Sequence, residues 1–182
     1  MNFTAYVARA FCHNSLGGNP AGVVIANQEF SLSSAQMQAI AKELNFSETV
    51  FIFPLGSHTC KTLYFTPTSP IDFCGHATLA AFEVLKQLRL LNGSVCSLDT
   101  KAGKCEVSLK DHLIFLSQPL PVFGQKIEKT EITPILGNYV CTDEPNPRII
   151  STGLRDINEN TIKKVECGGE VVVDEIKELK IP

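Results

Sequence analysis

The residue types with the clearest chemical potential lie together in the middle of the chain, at Cys74-Gly75-His76-Ala77-Thr78. This segment follows a proline-rich turn at 67–70 and leads into an apolar run that reaches Leu91. The pattern predicts the start of a buried helix, where free backbone N–H groups and the positive end of the helix dipole face outwards. Such a helix start suits a small anionic ligand, above all a carboxylate.

A second chemically capable side chain is the carboxylate of Glu48. It stands between a predicted helix and the apolar strand that begins at Thr49. Taken alone, Glu48 fits two interpretations, a solvated turn residue or a general acid/base that transfers protons at the mouth of a strand. The residues around it leave both open.

A glycine-rich segment precedes both of these groups. Residues 15–22 hold three glycines and one proline and lead into a predicted strand at Val23-Val24-Ile25. Such a loop brings backbone close to another segment or to a ligand. It is not a phosphate-binding loop, because it lacks the Gly-Lys-Ser/Thr ending and no helix follows it.

Two helices are predicted to position these residues. The first spans 33–45, with a capping box formed by Ser33 and Gln36. Its apolar side chains have helical spacing: Met37, Ile40, Ala41 and Leu44. The second begins at the Cys74 segment and is predicted to end at Asn92-Gly93. Its first half is apolar on every side, so a sheet must surround it.

The remaining pattern is that of strands. Alternating or β-branched runs occupy 3–11, 49–53, 62–66, 95–100, 104–109 and 113–116, the last three joined by connections short enough for hairpins. We therefore predict an α+β fold in which a mostly antiparallel sheet wraps around a central apolar helix. A linker at 119–121, a short helix at 132–137, a strand at 148–153 and a final strand at 167–173 complete the predicted elements.

Composition excludes several functional classes. The 182 residues are 44% hydrophobic and 19% charged with a net charge of −3, and no basic run exceeds two residues, so neither nucleic acid nor a membrane is an expected partner. The first residues show no signal-peptide pattern. Seven cysteines at irregular spacing indicate free thiols and a cytoplasmic location, and the histidines lack metal-ligand spacing, so no metal is expected.

Four ordered motifs resemble the phenazine-biosynthesis F (PhzF-like) family, which has the fold of diaminopimelate epimerase. They are Phe11 with Gly18-Asn19-Pro20-Ala21-Gly22-Val23-Val24; Asn45-Phe46-Ser47-Glu48-Thr49-Val50-Phe51; Tyr64-Phe65-Thr66-Pro67; and Cys74-Gly75-His76-Ala77-Thr78-Leu79-Ala80. The resemblance is nearly continuous from Met1 to about Ile157, and 168–173 resembles the family's closing strand.

The resemblance implies two similar lobes with an active site between them. It also implies cofactor-independent isomerisation, in which a carbon-bound proton of a small carboxylated substrate is removed and returned elsewhere. On this basis Glu48 is the expected acid/base and His76 a catalytic group beside it. The residues expected to bind substrate are Asn19, Gly75, Ala77 and Thr78.

The chain departs from the family after Ile157, which runs almost directly into the closing strand. We therefore predict a first lobe formed by 1–118 plus 165–182, and a remnant of the second lobe at 119–164. Two alternatives stay open. One is a two-thiol epimerase in which the helix start lowers the pKa of Cys74, although Cys167 does not fit the second thiol. The other is a non-catalytic binding protein, with a second copy of the chain as a candidate partner covering apolar surface.

Overall fold

The computed structural model describes residues 2–26, 32–91, 93–110, 112–118 and 165–180. The described residues form two helices and nine strands. The helices are α1, Ser34–Leu44, and α2, Gly75–Gln87. The strands are β1 Asn2–Cys12, β2 Asn19–Ile25, β3 Thr49–Gly56, β4 Thr59–Phe65, β5 Pro70–Ile71, β6 Val95–Thr100, β7 Gly103–Lys110, β8 Leu113–Gln118 and β9 Val165–Lys180.

The sheet closes on itself as a barrel. Its strand order is β3-β2-β1-β9-β8-β7-β6-β4, and β3 also pairs with β4, while the short β5 extends β4. Every pairing is antiparallel except β2 with β3 and β4 with β6. The predicted α+β class, with its consecutive hairpins β6–β7–β8, is confirmed.

Helix α2 runs through the middle of this barrel. Its residues from Ala77 to Leu85 are all buried, and the apolar ones among them pack into one core cluster with side chains of the surrounding strands. Because the helix has no water-facing side over this stretch, its sequence needs no amphipathic period. Glu83 is the one charged member, and its carboxylate is paired 2.5 Å from Lys86 Nζ.

The end of α2 differs from the prediction. The helix stops at Gln87 rather than at Asn92-Gly93, and Arg89 adopts the left-handed conformation with φ 57°. The Leu90 N–H then bonds to the Leu85 carbonyl at 2.9 Å and the Arg89 N–H to the Lys86 carbonyl at 3.0 Å. These two bonds form a Schellman-type ending, which usually has glycine at its left-handed position. Because arginine is not typical of this left-handed position, the sequence did not predict that the helix ends here.

Helix α1 follows its prediction closely. The Ser33–Gln36 capping box is present, and Met37, Ile40, Ala41 and Leu44 are buried. They pack on the outside of the barrel in a second cluster that includes Phe51 and Phe65. The helix ends at Asn45, whose left-handed φ of 55° turns the chain towards β3.

The long strand β9 completes the barrel by pairing with β1 on one side and β8 on the other. Gly168 in this strand lies so close to β8 that an added Cβ would be 2.4 Å from the Ile114 carbonyl oxygen. The predicted linker at 119–121, the helix at 132–137 and the strand at 148–153 all lie outside the described residues, as does the proposed remnant at 119–164.

Candidate active site

Glu48 is positioned by the junction between α1 and β3. The left-handed turn at Asn45 ends α1, and β3 begins one residue after Glu48. The Glu48 carbonyl accepts a hydrogen bond from the Gly22 N–H at 3.0 Å. An added Cβ at Gly22 would lie 2.8 Å from both Leu44 and Thr49, so glycine permits this close parallel pairing. At Gly22, therefore, the glycine-rich segment brings backbone close to another segment of the chain.

The start of α2 brings Cys74 and His76 to Glu48. Cys74 is the extended N-cap residue, with φ −148° and ψ 118°, and the helix begins at Gly75. His76 Nε2 lies 3.3 Å from Glu48 Oε2, and His76 Nδ1 lies 3.2 Å from Cys74 Sγ. Side chains from two segments distant in sequence therefore contact one another in the order Glu48, His76, Cys74.

Burial decides the charge of His76. Its side chain is 11% exposed, and burial lowers its pKa from 6.5, while the Glu48 carboxylate and the Pro20 carbonyl act in the opposite direction. The imidazole is therefore neutral at neutral pH. Among the described residues, Nε2 has no aligned hydrogen-bond partner, so its contact with Glu48 is one of proximity.

Burial also decides the state of the Cys74 thiol. It raises the thiol pKa to about 11, and the Glu48 charge acts in the same direction. The backbone N–H groups of Ala77 and His76 lower the pKa, but by less. The expectation that the helix start lowers this pKa is wrong in net effect, because loss of hydration outweighs the N–H groups. Burial raises the pKa of Cys167 as well. The two-thiol mechanism, which needs one of its thiols as a thiolate base, gains no support.

The expected substrate-binding residues have different surroundings. Thr78 and Ala77 are fully buried, and Thr78 donates its hydroxyl at 2.7 Å and its N–H at 3.1 Å to the Cys74 carbonyl. Gly75 has open space, since the atom nearest to an added Cβ is 4.0 Å away. Asn19 is exposed and is the first residue of β2, which corrects the expectation that it lies in a loop. Their roles towards substrate stay predictions.

Sequence reasoning missed a buried chain of hydroxyl groups beneath the helix start. Thr62 Oγ1 donates to Tyr64 Oη at 2.9 Å, and Tyr64 Oη lies 2.6 Å from Thr78 Oγ1. Because the Thr78 hydroxyl donates to the Cys74 carbonyl, Tyr64 must donate to Thr78. Burial raises the pKa of Tyr64 to about 12. The sequence feature that could have indicated the Thr62–Tyr64 contact is their spacing, because residues two apart lie on one face of a strand, here β4.

Glu48, Cys74 and His76 also have the donor types of a transition-metal site. Their ligand atoms all lie within 4.8 Å of one another. However, Cys74 and Glu48 contact different nitrogens of the imidazole, and one ion binds only one of them. A three-ligand site would therefore require a side chain to move, and the present geometry is that of a polar triad linked through His76.

Comparison with known proteins places the chain in a family. The model for "Phenazine biosynthesis-like protein" (PhzC-PhzF) matches residues 8–165. The chain belongs to this family. The resemblance of its four motifs is thereby confirmed, and relatives in the family carry the name isomerase.

Curated relatives include the "Uncharacterized isomerase YddE" of Escherichia coli (strain K12), 38% identical over 143 residues that cover 76% of this chain and 48% of the relative. The human "Phenazine biosynthesis-like domain-containing protein" is 32% identical over 185 residues, covering 93% of this chain and 63% of the relative. The chain thus spans about half to two thirds of the length of these family members.

Solved structures agree with the fold. The Enterococcus faecalis PhzF-family protein is 33% identical with a TM-score of 0.66, covering 75% of this chain and 52% of that chain. A PhzC/PhzF protein of Clostridium difficile (strain 630) has a TM-score of 0.74 at 20% identity, covering 98% of this chain and 100% of that chain, and shows the fold alone. In the described part of the chain, neither helix has the length and apolar character needed to cross a membrane.

Proposed function

We propose that this family member contributes one wall of the active site of a cofactor-independent isomerase, with Glu48 as the acid/base. The observation that carries the proposal is the 3.3 Å contact between Glu48 Oε2 and His76 Nε2 at the start of a buried helix. A carboxylate beside a neutral imidazole and the Gly75 N–H at the helix start suits proton transfer at a carbon whose negative charge must be stabilised.

In the proposed reaction the Glu48 carboxylate takes a proton from a carbon near the carboxyl group of the substrate. The electron pair left behind delocalises, and the protonated Glu48 returns the proton at another carbon, so that atoms and charge balance without a co-reactant. The Gly75 N–H, in the first turn of α2, is the donor proposed to face the substrate carboxylate. The His76 and Ala77 N–H groups already interact with the Cys74 sulfur.

We further propose that the second lobe is shortened to a remnant at 119–164. In support, the chain spans 48% and 63% of the length of the bacterial and human relatives named above. A second copy of the chain is the proposed cover for the open side of the site. Large apolar side chains remain exposed on the surface: Leu16, Leu55, Leu88, Leu90, Val95 and Ile176.

The same partial coverage favours a second candidate function, a non-catalytic binding module. Such a module would hold a small carboxylate at the start of α2 without moving its proton. The two candidates differ in exchange chemistry: an isomerase incorporates deuterium from heavy water into substrate carbon, whereas a binding module does not.

The test incubates the full chain with a panel of small carboxylates and amino acids in heavy water and follows deuterium incorporation by mass spectrometry. Sedimentation of the same sample measures whether its mass is that of one chain or two. Incorporation above the protein-free background supports the isomerase. Carboxylate binding by calorimetry with no incorporation into the bound compound supports the binding module instead.

A further inference from the structure

Cys74 stands outside the mechanism proposed above, yet its sulfur is in direct contact with His76. The Sγ–Nδ1 distance of 3.2 Å is short for a hydrogen bond to sulfur, so a proton lies between the two atoms. Either the thiol donates to a bare Nδ1, or a protonated Nδ1 donates to the sulfur. A neutral imidazole carries one N–H and one acceptor nitrogen, so the choice also decides what Nε2 presents to the site.

The second ring nitrogen, Nε2, shows which of these two arrangements is favoured. Nε2 lies 3.3 Å from Glu48 Oε2, and an ionised carboxylate only accepts hydrogen bonds. The two groups are not aligned as a hydrogen bond, but a bare Nε2 would still bring its lone pair within 3.3 Å of a carboxylate oxygen in a half-buried site, whereas Nε2–H brings a proton there. The contact with Glu48 therefore favours a proton on Nε2 and a bare Nδ1.

The surroundings of the sulfur agree with this assignment. The thiol is protonated at neutral pH, since burial raises its pKa to about 11. The backbone N–H groups of Ala77 and His76 favour negative charge on the sulfur, so they face its lone pairs and leave the S–H proton to point at Nδ1. The Cys74 backbone is held in place because its carbonyl accepts from both the hydroxyl and the N–H of Thr78.

We propose that Cys74 is a positioning residue whose thiol donates to His76 Nδ1 and thereby holds the imidazole in the Nε2–H tautomer, with the N–H directed into the site beside Glu48. The proposal rests on the proposed function for the use of that N–H, which would donate to the oxygen that gains negative charge during proton transfer. The tautomer itself needs no substrate.

The test is nitrogen NMR of the full chain labelled with ¹⁵N-histidine, at a pH where His76 is neutral. The protein holds four histidines, and His76→Asn assigns the relevant signals by their loss. We expect the wild-type protein to show protonated Nε2 and bare Nδ1. In Cys74→Ala the ratio of Nε2–H to Nδ1–H should fall about fivefold, the value of one ordinary hydrogen bond. In Cys74→Ser, whose hydroxyl also donates, the ratio should be retained.

A wild-type spectrum with protonated Nδ1 overturns the proposal without any variant. So does an unchanged ratio in folded Cys74→Ala. A thiolate-to-metal absorption band that Co²⁺ produces with wild type and not with Cys74→Ala overturns it as well, because Cys74 would then be a metal ligand. If no deuterium is incorporated but the Nε2–H tautomer is observed, the isomerase proposal is wrong and the positioning role of Cys74 is retained.

Discussion

At the scale of single residues, burial and charge oppose each other around Glu48. His76 and Cys74 are both neutral at neutral pH because the loss of hydration outweighs the local groups that favour their charged forms. Sequence reasoning found the members of this triad, since their types and motifs were visible. It gave the wrong direction for the Cys74 pKa, because the depth of burial depends on a barrel that closes around the helix from distant strands.

The lowered pKa of His76 predicts a particular loss of stability in acid. The unfolded chain binds a proton at His76 near pH 6.5, while the folded chain resists it until lower pH. The stability contributed by neutral His76 is therefore full above about pH 6.5 and is lost as the pH falls towards the folded pKa. We expect His76→Asn to lose less stability than wild type between pH 7.5 and pH 5, measured by urea unfolding.

The matched control is His58→Asn at an exposed histidine, which should keep the wild-type dependence. This pH range lies above the usual pKa of carboxylic acids, so they contribute little to the slope. Parallel pH curves for His76→Asn and wild type would show that burial does not hold the imidazole neutral.

At the scale of elements, the start of α2 is held from below by β4. The hydroxyl chain from Thr62 through Tyr64 to Thr78 ends on the Cys74 carbonyl, so the sheet fixes the turn that carries His76. Existence and type of most helices and strands could be predicted from periodicity and capping. The spacing of Thr62 and Tyr64 indicated a shared face of β4, but their link to Thr78 in α2 could not be predicted, because the contact between these two elements is tertiary.

Removing the Tyr64 hydroxyl should therefore destabilise the protein. Tyr64→Phe leaves the buried Thr62 and Thr78 hydroxyls without their shared partner, which should cost about 1–3 kcal/mol in the free energy of unfolding. Chemical denaturation measures it, with Tyr6→Phe at a half-buried tyrosine as the control. Equal unfolding midpoints for the two variants would rule out a supporting role for the chain.

At the scale of the whole molecule, the barrel depends on β9, which enters between β1 and β8. The final strand was predicted from its β-branched run, but the parallel β2–β3 and β4–β6 pairings were not. Such pairings join strands that other elements separate in the sequence, so the residue pattern of each strand does not predict its partner. The match to the phenazine biosynthesis-like family, in contrast, followed from four motifs in order.

Gly168→Ala tests whether the close β8–β9 contact holds the barrel together. The added methyl group would lie 2.4 Å from the Ile114 carbonyl oxygen and 2.6 Å from the Phe115 ring, so the strands must separate. We expect a loss of about 1–3 kcal/mol in the free energy of unfolding. Gly56→Ala is the matched control, because nothing lies within 4 Å of its added Cβ. A Gly168→Ala protein as stable as the control would contradict the observed packing.

The central claim, that Glu48 moves a carbon-bound proton, is tested most directly by substitution in the deuterium exchange assay. Glu48→Gln keeps the size of the side chain but cannot take up a proton, and Glu43→Gln makes the same change at an exposed position of α1. For a compound that the wild-type chain labels, we predict that Glu48→Gln lowers the rate of incorporation at least about 100-fold. Glu43→Gln should leave the rate unchanged. Equal rates for Glu48→Gln and wild type would contradict the account.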